Sequence, residues 1–346
     1  MVRPRHKTGS FFKEERKMKK AFILFLCLAM VFSLAACGSS SSASTASDSA
    51  APAEDGTYVV GICQLVQHVA LDAATKGFRD AITEKLGDKV TFIEQNAAGD
   101  SANCSTICNQ LVSEKVDLIM ANATPALQAA AASTNTIPIL GTSITDYGSA
   151  LDIDNWTGVT GTNISGTSDL APLDDQAKLF GEILPNAHSV GIIYCSAEAN
   201  SVYQADVIEG YLKDAGLEVK RYSFADSNDL AGVTANACAE NDALYIPTDN
   251  TAASFTETIN NVAQPAGVPI ICGEEGLCSG CGIATLSIDY YDLGYATGEM
   301  AVELLVNGAD VSTMEVRFAP QVTKKYNADL CTALGIEVPE DFVAIG

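Results

Sequence analysis

Residues 58–94, YVVGICQLVQHVALDAATKGFRDAITEKLGDKVTFIE, contain two apolar runs separated by an amphipathic segment. The run 58–65 is almost continuously apolar, which is typical of a strand buried on both faces of a sheet. Between 71 and 86, apolar residues recur at the three- and four-residue spacing of one helix face. Because 90–94 is a second apolar strand, the order predicts two parallel strands joined by a crossover helix.

The same alternation of strand and helix continues along the chain in two sets. The first set continues with helix 101–112, strand 117–121, helix 125–132 and strand 137–140. The second set comprises helix 172–184, strand 189–194, helix 201–215, strand 218–223, a short helix from 229, strand 243–246, helix 252–264 and strand 268–271. Two sets of similar make-up predict an α/β protein with two doubly wound, Rossmann-like lobes.

Polar side chains follow most of these predicted strands, although the strands themselves are apolar. The polar stretches are 64–68, 122–125, 142–146, 196–201, 247–250 and 273–276. In doubly wound sheets, ligands bind beyond the carboxyl ends of the strands. Most of these stretches also open a helix, whose free N–H groups suit an anion such as a carboxylate. The sequence therefore predicts one ligand-binding cleft between the two lobes.

The first 36 residues have the pattern of a secretory signal peptide. Lys17, Lys19 and Lys20 precede the apolar run 21–32, and Leu34-Ala35-Ala36-Cys37-Gly38 follows it. A basic region, a short apolar region and small residues before a cleavage site define such a signal. The apolar run is shorter than the roughly 20 residues of a membrane-spanning helix. We expect residues 1–36 to be removed, with Met18 as the true start.

The position of Cys37 resembles the lipobox of bacterial lipoproteins, in which the cysteine takes a diacylglyceryl group. We therefore expect Cys37 to be lipidated, since each buried CH₂ of an acyl chain contributes about 0.8 kcal/mol to membrane binding. An ordinary signal peptide with a chance cysteine is the alternative. Residues 37–56 hold a tract rich in Ser and Ala, which predicts a flexible tether.

The charge balance excludes several classes of partner. The chain has 20 Lys and Arg against 43 Asp and Glu, and eight of the bases but two of the acids precede Cys37. The remainder therefore carries 12 bases against 41 acids. Nucleic acids and anionic lipid surfaces are bound through basic patches, so this acidity argues against both.

Nine cysteines follow Cys37, and two of them form a CxxC pair, Cys278 and Cys281. A structural zinc site needs four Cys or His ligands, and the only histidines after Cys37 are His68 and His188. We expect most of these cysteines to be free thiols in place of Ala, Val or Ser. One disulfide, or a metal site, stays an alternative at this point.

Several polar stretches resemble the ABC-transporter substrate-binding lipoprotein family, whose studied members bind aromatic amino acids such as tryptophan or tyrosine. The similar runs are Gly61-Ile-Cys-Gln64 with His68 and Ala70-Leu71-Asp72; Ala123-Thr124-Pro125-Ala126; Ser196-Ala-Glu198-Ala-Asn200-Ser201; Tyr245-Ile-Pro-Thr248-Asp249-Asn250; and Ala284-Thr-Leu-Ser-Ile-Asp289-Tyr290-Tyr-Asp-Leu-Gly294. The likeness extends from about residue 58 to 338. The chain departs from the family pattern at Val69, where proline is usual, at Tyr147, and at the CxxC pair.

The resemblance implies the type I periplasmic-binding-protein fold, in which three crossing strands join two lobes. On this pattern the crossings fall near Gly161, Asp289 and Pro320. The amino-terminal lobe then comprises 57–161 and 290–319, and the carboxyl-terminal lobe comprises 162–289 and 320–346.

An amino-acid ligand, as the resemblance implies, needs a carboxylate for its ammonium group, because charge-assisted hydrogen bonds are the strong ones. Asp249 is the first candidate, and an N-cap for the following helix is its alternative role. Asp289 is the second candidate, with a hinge role as its alternative. Glu198 and Glu275 are weaker candidates that could instead be solvated acids at helix starts.

The remaining predicted contacts serve the other parts of the ligand. Thr124, the amides behind Pro125, Ser196, Asn200 and Ser201 are candidates for the ligand carboxylate, with helix capping as the alternative for Thr124 and Ser196. Gln64 could bind the ligand or the hinge, and His68 could contact the ligand or only start a helix. Further candidates are the polar residues Thr145, Thr248 and Asn250 and the apolar walls Leu65 and Tyr290, with Tyr147 as a third wall.

We therefore expect a lipid-anchored monomer on the extracytoplasmic face of the cell membrane. It would close two lobes on a small molecule and present it to ABC permease and ATPase subunits, without catalysis, cofactor or metal. One rival hypothesis is an enzyme, for example a thiol oxidoreductase using Cys278 and Cys281. Another is a sensor that reports ligand binding to a membrane signalling partner.

Overall fold

The computed structural model describes residues 56–319 and 321–345, and all structural statements below refer to them. The expected signal peptide, Cys37, nearly all of the tether and the crossing at Pro320 lie outside the described residues. No helix within the described residues is long and apolar enough to cross a membrane.

The strands and helices alternate along most of the chain, as the sequence predicts. The strands are β1 (Tyr58–Gln64), β2 (Val90–Asn96), β3 (Leu118–Asn122), β4 (Ile139–Ile144), β5 (Ile164–Ser168), β6 (Ser189–Cys195), β7 (Glu218–Phe224), β8 (Ala243–Ile246), β9 (Ile270–Cys272), β10 (Ala284–Ser287), β11 (Arg317–Phe318), β12 (Thr323–Tyr326) and β13 (Val343–Ala344). The helices are α1 (Val69–Leu86), α2 (Ser101–Glu114), α3 (Thr124–Ser133), α4 (Tyr147–Leu151), α5 (Leu173–Ile183), α6 (Ala199–Asp214), α7 (Ser227–Glu240), α8 (Asn250–Ser254), α9 (Thr256–Ala266), α10 (Glu275–Cys281), α11 (Tyr290–Leu305) and α12 (Ala328–Leu334). The 3₁₀ turns are Gly87–Lys89 and Val311–Thr313.

The strands form two sheets, each the centre of one lobe. The first sheet has the order β11-β5-β4-β3-β1-β2, and its strand pairs are parallel. The second has the order β13-β12-β10-β9-β8-β6-β7, in which β12 runs antiparallel to β10. Apolar side chains are buried on both faces of each sheet, under helices. The predicted α/β fold of two doubly wound lobes is confirmed.

The chain passes between the lobes three times. It leaves the first sheet after β5, returns after β10 through α11, and leaves again between β11 and β12. The boundary expected at residues 161 and 162 lies too early, because β5 pairs with β4, with Ile164 opposite Ile139. The first crossing therefore follows Ser168.

Two predicted helices differ from the observed ones. The segment predicted as one helix over 252–264 is two helices, α8 and α9, separated at Phe255. The helix expected to be short from residue 229 is α7, with 14 residues, and it begins at Ser227 because Asp226 caps it. The break at Phe255 matters for the site, because this side chain lines the cleft.

Candidate ligand-binding cleft

The carboxyl ends of the strands from both sheets meet in a cleft between the lobes. Across it, Gln204 Nε2 donates to Thr145 Oγ1 at 3.3 Å, and His68 Nε2 lies 3.4 Å from Asn250 Oδ1. Gln204 is on α6 of the second lobe, whereas Thr145 follows β4 of the first lobe. The described conformation therefore brings the two lobes into direct contact.

A cavity of about 360 Å³ lies within this cleft. That volume is within the range of small-molecule sites in proteins. The residues that line it include Leu65 and Pro125 from the first lobe and Glu198, Asn250, Thr251 and Phe255 from the second. Four of the predicted site residues, Leu65, Pro125, Glu198 and Asn250, thus line it.

A larger groove of about 640 Å³ lies at the edge of the second lobe, between residues 182–187 and 335–339. Ser189 and Ala243, where β6 and β8 begin, follow residues that line this groove, so the groove is at the amino ends of those strands. Ligands of doubly wound sheets bind at the opposite edge, and we assign the site to the smaller cavity for that reason.

Asp249, the first candidate for an ammonium group, has both carboxylate oxygens occupied within the second lobe. Oδ1 accepts from the backbone N–H of Ala252 at 2.8 Å, and Oδ2 accepts from that of Cys195 at 2.7 Å. The side chain is 1% exposed, and burial together with the neighbouring Glu198 raises its pKa. Its observed role is the alternative one, the N-cap of α8.

Glu198 lines the cavity and also binds the start of α8. Its Oε1 accepts from Thr251 N at 2.9 Å and from Thr251 Oγ1 at 2.7 Å. Its Oε2 accepts from Asn250 Nδ2 at 2.6 Å and from Asn250 N at 3.1 Å. Four hydrogen bonds from Asn250 and Thr251 therefore already satisfy the Glu198 carboxylate.

The other two predicted acids lie outside the cleft. Asp289 is exposed and caps α11, accepting from Asp292 N at 3.0 Å. Glu275 points away and pairs with Lys325. Its neighbour Glu274 is buried and caps α10, accepting from Leu277 N and Gly276 N, both at 2.5 Å. Burial raises the pKa of Glu274 to about 7.

Asp169 is a buried carboxylate that the sequence reasoning missed. It directly follows β5, is 4% exposed, and has a pKa raised to about 6 by burial. Thr145 Oγ1 donates to its Oδ1 at 3.3 Å, and the Tyr290 hydroxyl donates to its Oδ2 at 2.9 Å. The strand β5 reads ISGTS, in which Ile164 is the one large apolar residue, whereas the other buried strands are recognised by runs of such residues.

Three buried side-chain oxygen atoms near the cleft lack a hydrogen-bond partner within the part of the chain that the structure describes. They are Thr124 at Oγ1, Ser143 at Oγ and Asn200 at Oδ1. Thr124 stands in the first turn of α3, beside Pro125 of the cavity wall. Because an unpaired buried polar group costs about 1–3 kcal/mol, these atoms are candidates for ligand contacts.

The backbone is unusual at two of these positions. Ala123, just before Thr124, has a φ of +87°, and Ser143 has a φ of +57°. At Ser143 the register between β4 and β5 shifts, as in a bulge that re-aims a side chain. Such conformations cost about 1–3 kcal/mol and cluster at binding sites.

The other predicted contacts are placed as follows. Ser196 is exposed and donates to Phe224 O at 3.0 Å, while the buried Ser201 lies beside Asp249. Thr248 contributes its carbonyl, which accepts from Asn200 Nδ2 at 3.0 Å. Gln204, which was not predicted, connects that carbonyl to Thr145.

Gln64 and Tyr147 are both bonded inside the first lobe. Gln64 donates to Asp72 Oδ1 at 2.7 Å and accepts from Thr75 Oγ1 at 2.6 Å. The fully buried Tyr147 donates to Gly141 O at 3.1 Å and stacks on Trp156, so it forms core rather than a cleft wall. Tyr290 is buried at the base of the cleft and reaches Asp169.

The cysteines of the CxxC pair do not have the setting of a redox site. Cys278 and Cys281 are buried in the core, and Cys281 is the last residue of α10. Burial raises the pKa of the Cys278 thiol, whereas reactive thiolates lie at helix N-termini with a lowered pKa. The nine cysteines from Cys63 to Cys331 are free thiols in the described chain.

We expect the ligand-free protein to become less stable as the pH rises from about 5 to 8. Burial raises the folded-state pKa of Asp169 to about 6 and of Glu274 to about 7, above the value of about 4 for unfolded carboxyl groups. The stability that these protons contribute is present at low pH and is lost as the pH passes through 6 to 7.

The expected loss between pH 5 and 8 is on the order of 4 kcal/mol, since one pKa unit corresponds to about 1.4 kcal/mol, and thermal unfolding at a series of pH values measures it. The lowered pKa of the half-buried His68 acts in the opposite direction, because its neutral form is favoured in the fold. The variant Asp169→Asn with Glu274→Gln should show a flatter profile. A wild-type unfolding temperature that rises from pH 5 to 8 would contradict the assignment of these carboxyl groups.

A protein-family model described as "ABC transporter substrate binding protein" matches residues 59–345. The chain belongs to the ABC transporter substrate-binding protein family, which confirms the resemblance drawn from the sequence. Members of this extracytoplasmic family are ligand-binding components of transporters.

Individual relatives support the same assignment. The chain is 36% identical, over 281 residues, to the tyrosine-binding protein of Clostridioides difficile (strain R20291), covering 80% of this chain and 81% of the relative. It is 32% identical to a Streptococcus pneumoniae ABC domain solved in complex with L-Trp, with a TM-score of 0.79 over 82% of this chain and 96% of that one. The fold is the type I periplasmic-binding-protein fold.

A ligand-free, open structure is less similar in shape. It is a substrate-binding protein with adhesive properties from Clostridium difficile, 35% identical, with a TM-score of 0.65 over 84% of this chain and 99% of that one. Sequence identity is similar in the two comparisons, whereas the TM-score is lower for the open structure.

Proposed function

We propose that this protein is the substrate-binding lipoprotein of an ABC importer, and that it captures an aromatic amino acid by closing its two lobes. Lipidation at Cys37 would hold it on the extracytoplasmic face of the membrane, with the tether giving it reach. A monomer of this kind delivers its ligand to the permease and ATPase subunits.

The observation that carries the proposal is the composition of the cleft. Thr124 and Ser143 offer unpaired hydroxyl groups, and α3 begins beside them with free backbone N–H groups, which suits a carboxylate. Of the buried acids, Glu198 lines the cavity, and Asp169 bonds to Thr145, whose hydroxyl accepts from Gln204 across the cleft. An α-amino acid presents one group of each charge, whereas a sugar or nucleoside presents neither.

The cavity wall includes apolar side chains, which the aromatic side chain of a ligand requires. They are Leu65 and Pro125 from the first lobe and Phe255 from the second. Aromatic contacts add about 0.5–1.5 kcal/mol beyond the burial of area. The relatives named for tyrosine and solved with L-Trp support the same ligand class.

Two observations support closure of the lobes around a ligand: the contacts between the lobes and the likeness of the backbone to a ligand complex. The lobes touch through Gln204 and Thr145 and through His68 and Asn250, and the chain resembles the L-Trp complex more than the open structure. A ligand that contacts both lobes stabilises the arrangement in which they meet, which is hinge closure.

A thermal-shift screen of the purified protein against the twenty amino acids and common nucleosides tests this proposal. At 100 times its Kd a ligand adds about 2.7 kcal/mol to the folded state, which raises the unfolding temperature by about 5–10 °C. The protein is first unfolded and refolded to remove any bound ligand. A shift limited to tryptophan, tyrosine or phenylalanine is expected, and no shift with any of the three would reject the ligand class.

A further inference from the structure

Four buried carboxylates lie in or beside the cleft, and three of them cap helices. Asp249 and Glu198 accept backbone N–H groups at the start of α8, and Glu274 accepts them at the start of α10. Both oxygens of each of these three carboxylates therefore already accept hydrogen bonds from backbone N–H groups.

Asp169 differs from these three. From other residues of the described chain, its carboxylate accepts hydrogen bonds from two hydroxyl groups, those of Thr145 and Tyr290. No described Lys or Arg forms an ion pair with it. An ionised carboxylate has about four lone-pair positions, so Asp169 can accept further donors.

The position of Asp169 relates it to the unpaired hydroxyl groups of the first lobe. Asp169 follows β5, Ser143 lies in the adjacent β4, and Thr124 follows β3, the next strand of the sheet. Neighbouring strands are about 4.8 Å apart, so the ends of β5 and β3 are separated by about 10 Å. An ammonium and a carboxylate on one α-carbon, each with a hydrogen bond of about 2.8 Å, span a similar distance.

We propose that Asp169 binds the ammonium group of the ligand, while Thr124 and Ser143 bind its carboxylate. Thr145 and Tyr290 position the Asp169 side chain through their hydroxyl groups. This inference rests on the proposed function and specifies which end of the amino acid lies at β5. A buried carboxylate with few donors suits this role, because an arriving ammonium supplies the missing counter-charge.

The test compares Asp169→Asn with the wild type on two matched ligands. Isothermal titration measures binding of the best aromatic amino acid from the screen and of its desamino analogue, for example phenylalanine and 3-phenylpropionate. In the wild type the amino acid should bind much more tightly than the analogue. Loss of one partner of a buried charge pair reduces affinity strongly, so Asp169→Asn should bind the amino acid about 100-fold more weakly. Its affinity for the analogue should be unchanged or higher.

Two further variants complete the design. Asp289→Asn removes an exposed acid at a helix start and should keep the full preference for the amino acid. Tyr290→Phe keeps the Asp169 charge but removes one of its donors. It should weaken amino-acid binding by about 3- to 10-fold without affecting the analogue, and it tests the idea independently of how Asp169→Asn folds.

The outcomes separate the two proposals. If the wild type binds an aromatic amino acid and Asp169→Asn retains its preference over the desamino analogue, Asp169 is not the ammonium site, although the receptor function stands. If the wild type binds no aromatic amino acid, the proposed function fails and this inference fails with it. A loss of preference in Asp169→Asn, together with an unchanged Asp289→Asn, supports the assignment.

Discussion

Replacement of Gly294 by alanine is expected to lower the unfolding temperature by about 10 °C, because α1 and α11 pack with their backbones in contact. A Cβ at Gly294 would lie 1.9 Å from the carbonyl oxygen of Ala74, and one at Gly77 would lie 2.1 Å from that of Tyr291. A backbone atom cannot rotate away, so the helices would have to separate. Losses from overpacking reach about 3 kcal/mol or more, and each kcal/mol moves the transition by about 2–4 °C.

Gly210 provides the matched control for this substitution. It lies within α6, is exposed, and has nothing within 4 Å of an added Cβ. Alanine there should raise stability by about 1 kcal/mol, since glycine is the poorer helix former. Thermal unfolding of both variants decides the matter. Equal effects of the two substitutions would show that the contact between α1 and α11 is looser than described.

Asp249→Ala is expected to lower the unfolding temperature by about as much as the Gly294 substitution, about 10 °C. The substitution would leave the N–H groups of Cys195 and Ala252 without their acceptor. Each buried donor left unpaired costs about 1–3 kcal/mol, so a total of about 3 kcal/mol follows. The matched control is Asp100→Ala, which removes an exposed N-cap of α2 and should cost about 1 kcal/mol.

The same variant separates two interpretations of Asp249. From the sequence, Asp249 is the first candidate for the ligand's ammonium group, and its loss should then weaken binding more than tenfold at unchanged stability. From the structure, the substitution lowers the stability of the fold. It weakens ligand binding only indirectly, through a displacement of α8. Unfolding temperature and ligand affinity are measured together, and a stable Asp249→Ala protein that has lost binding would restore the first interpretation.

The fold was largely predictable because its central strands are buried on both faces. Runs such as 243–246 and 189–195 are continuously apolar, and amphipathic helices separate them, so the alternation itself predicts two doubly wound sheets. This pattern does not predict the strand β5, which has no continuous apolar run. Its glycine, Gly166, is needed because a Cβ there would lie 2.4 Å from the Tyr147 hydroxyl, and that contact cannot be read from local sequence.

Missing β5 had two consequences. The sequence pattern places the first crossing before the strand, near Gly161, rather than after it, and it does not mark Asp169 as a residue at a strand end. A similar error of one position separated Glu275 from Glu274. Glu274 is the N-cap, whose extended backbone lets its side chain accept from the first N–H groups of α10, whereas Glu275 is the first helical residue and pairs with Lys325.

The sequence by itself determined the two lobes, the edge at which a ligand is expected and most of the polar residues that stand there. Only the tertiary structure decided which acids cap helices and which one faces hydroxyl groups alone. Whether a carboxylate caps a helix, as Asp249 does, or faces only hydroxyl groups, as Asp169 does, depends on the donors that packing places within about 3 Å. Those donors come from distant parts of the chain, so no local pattern records them.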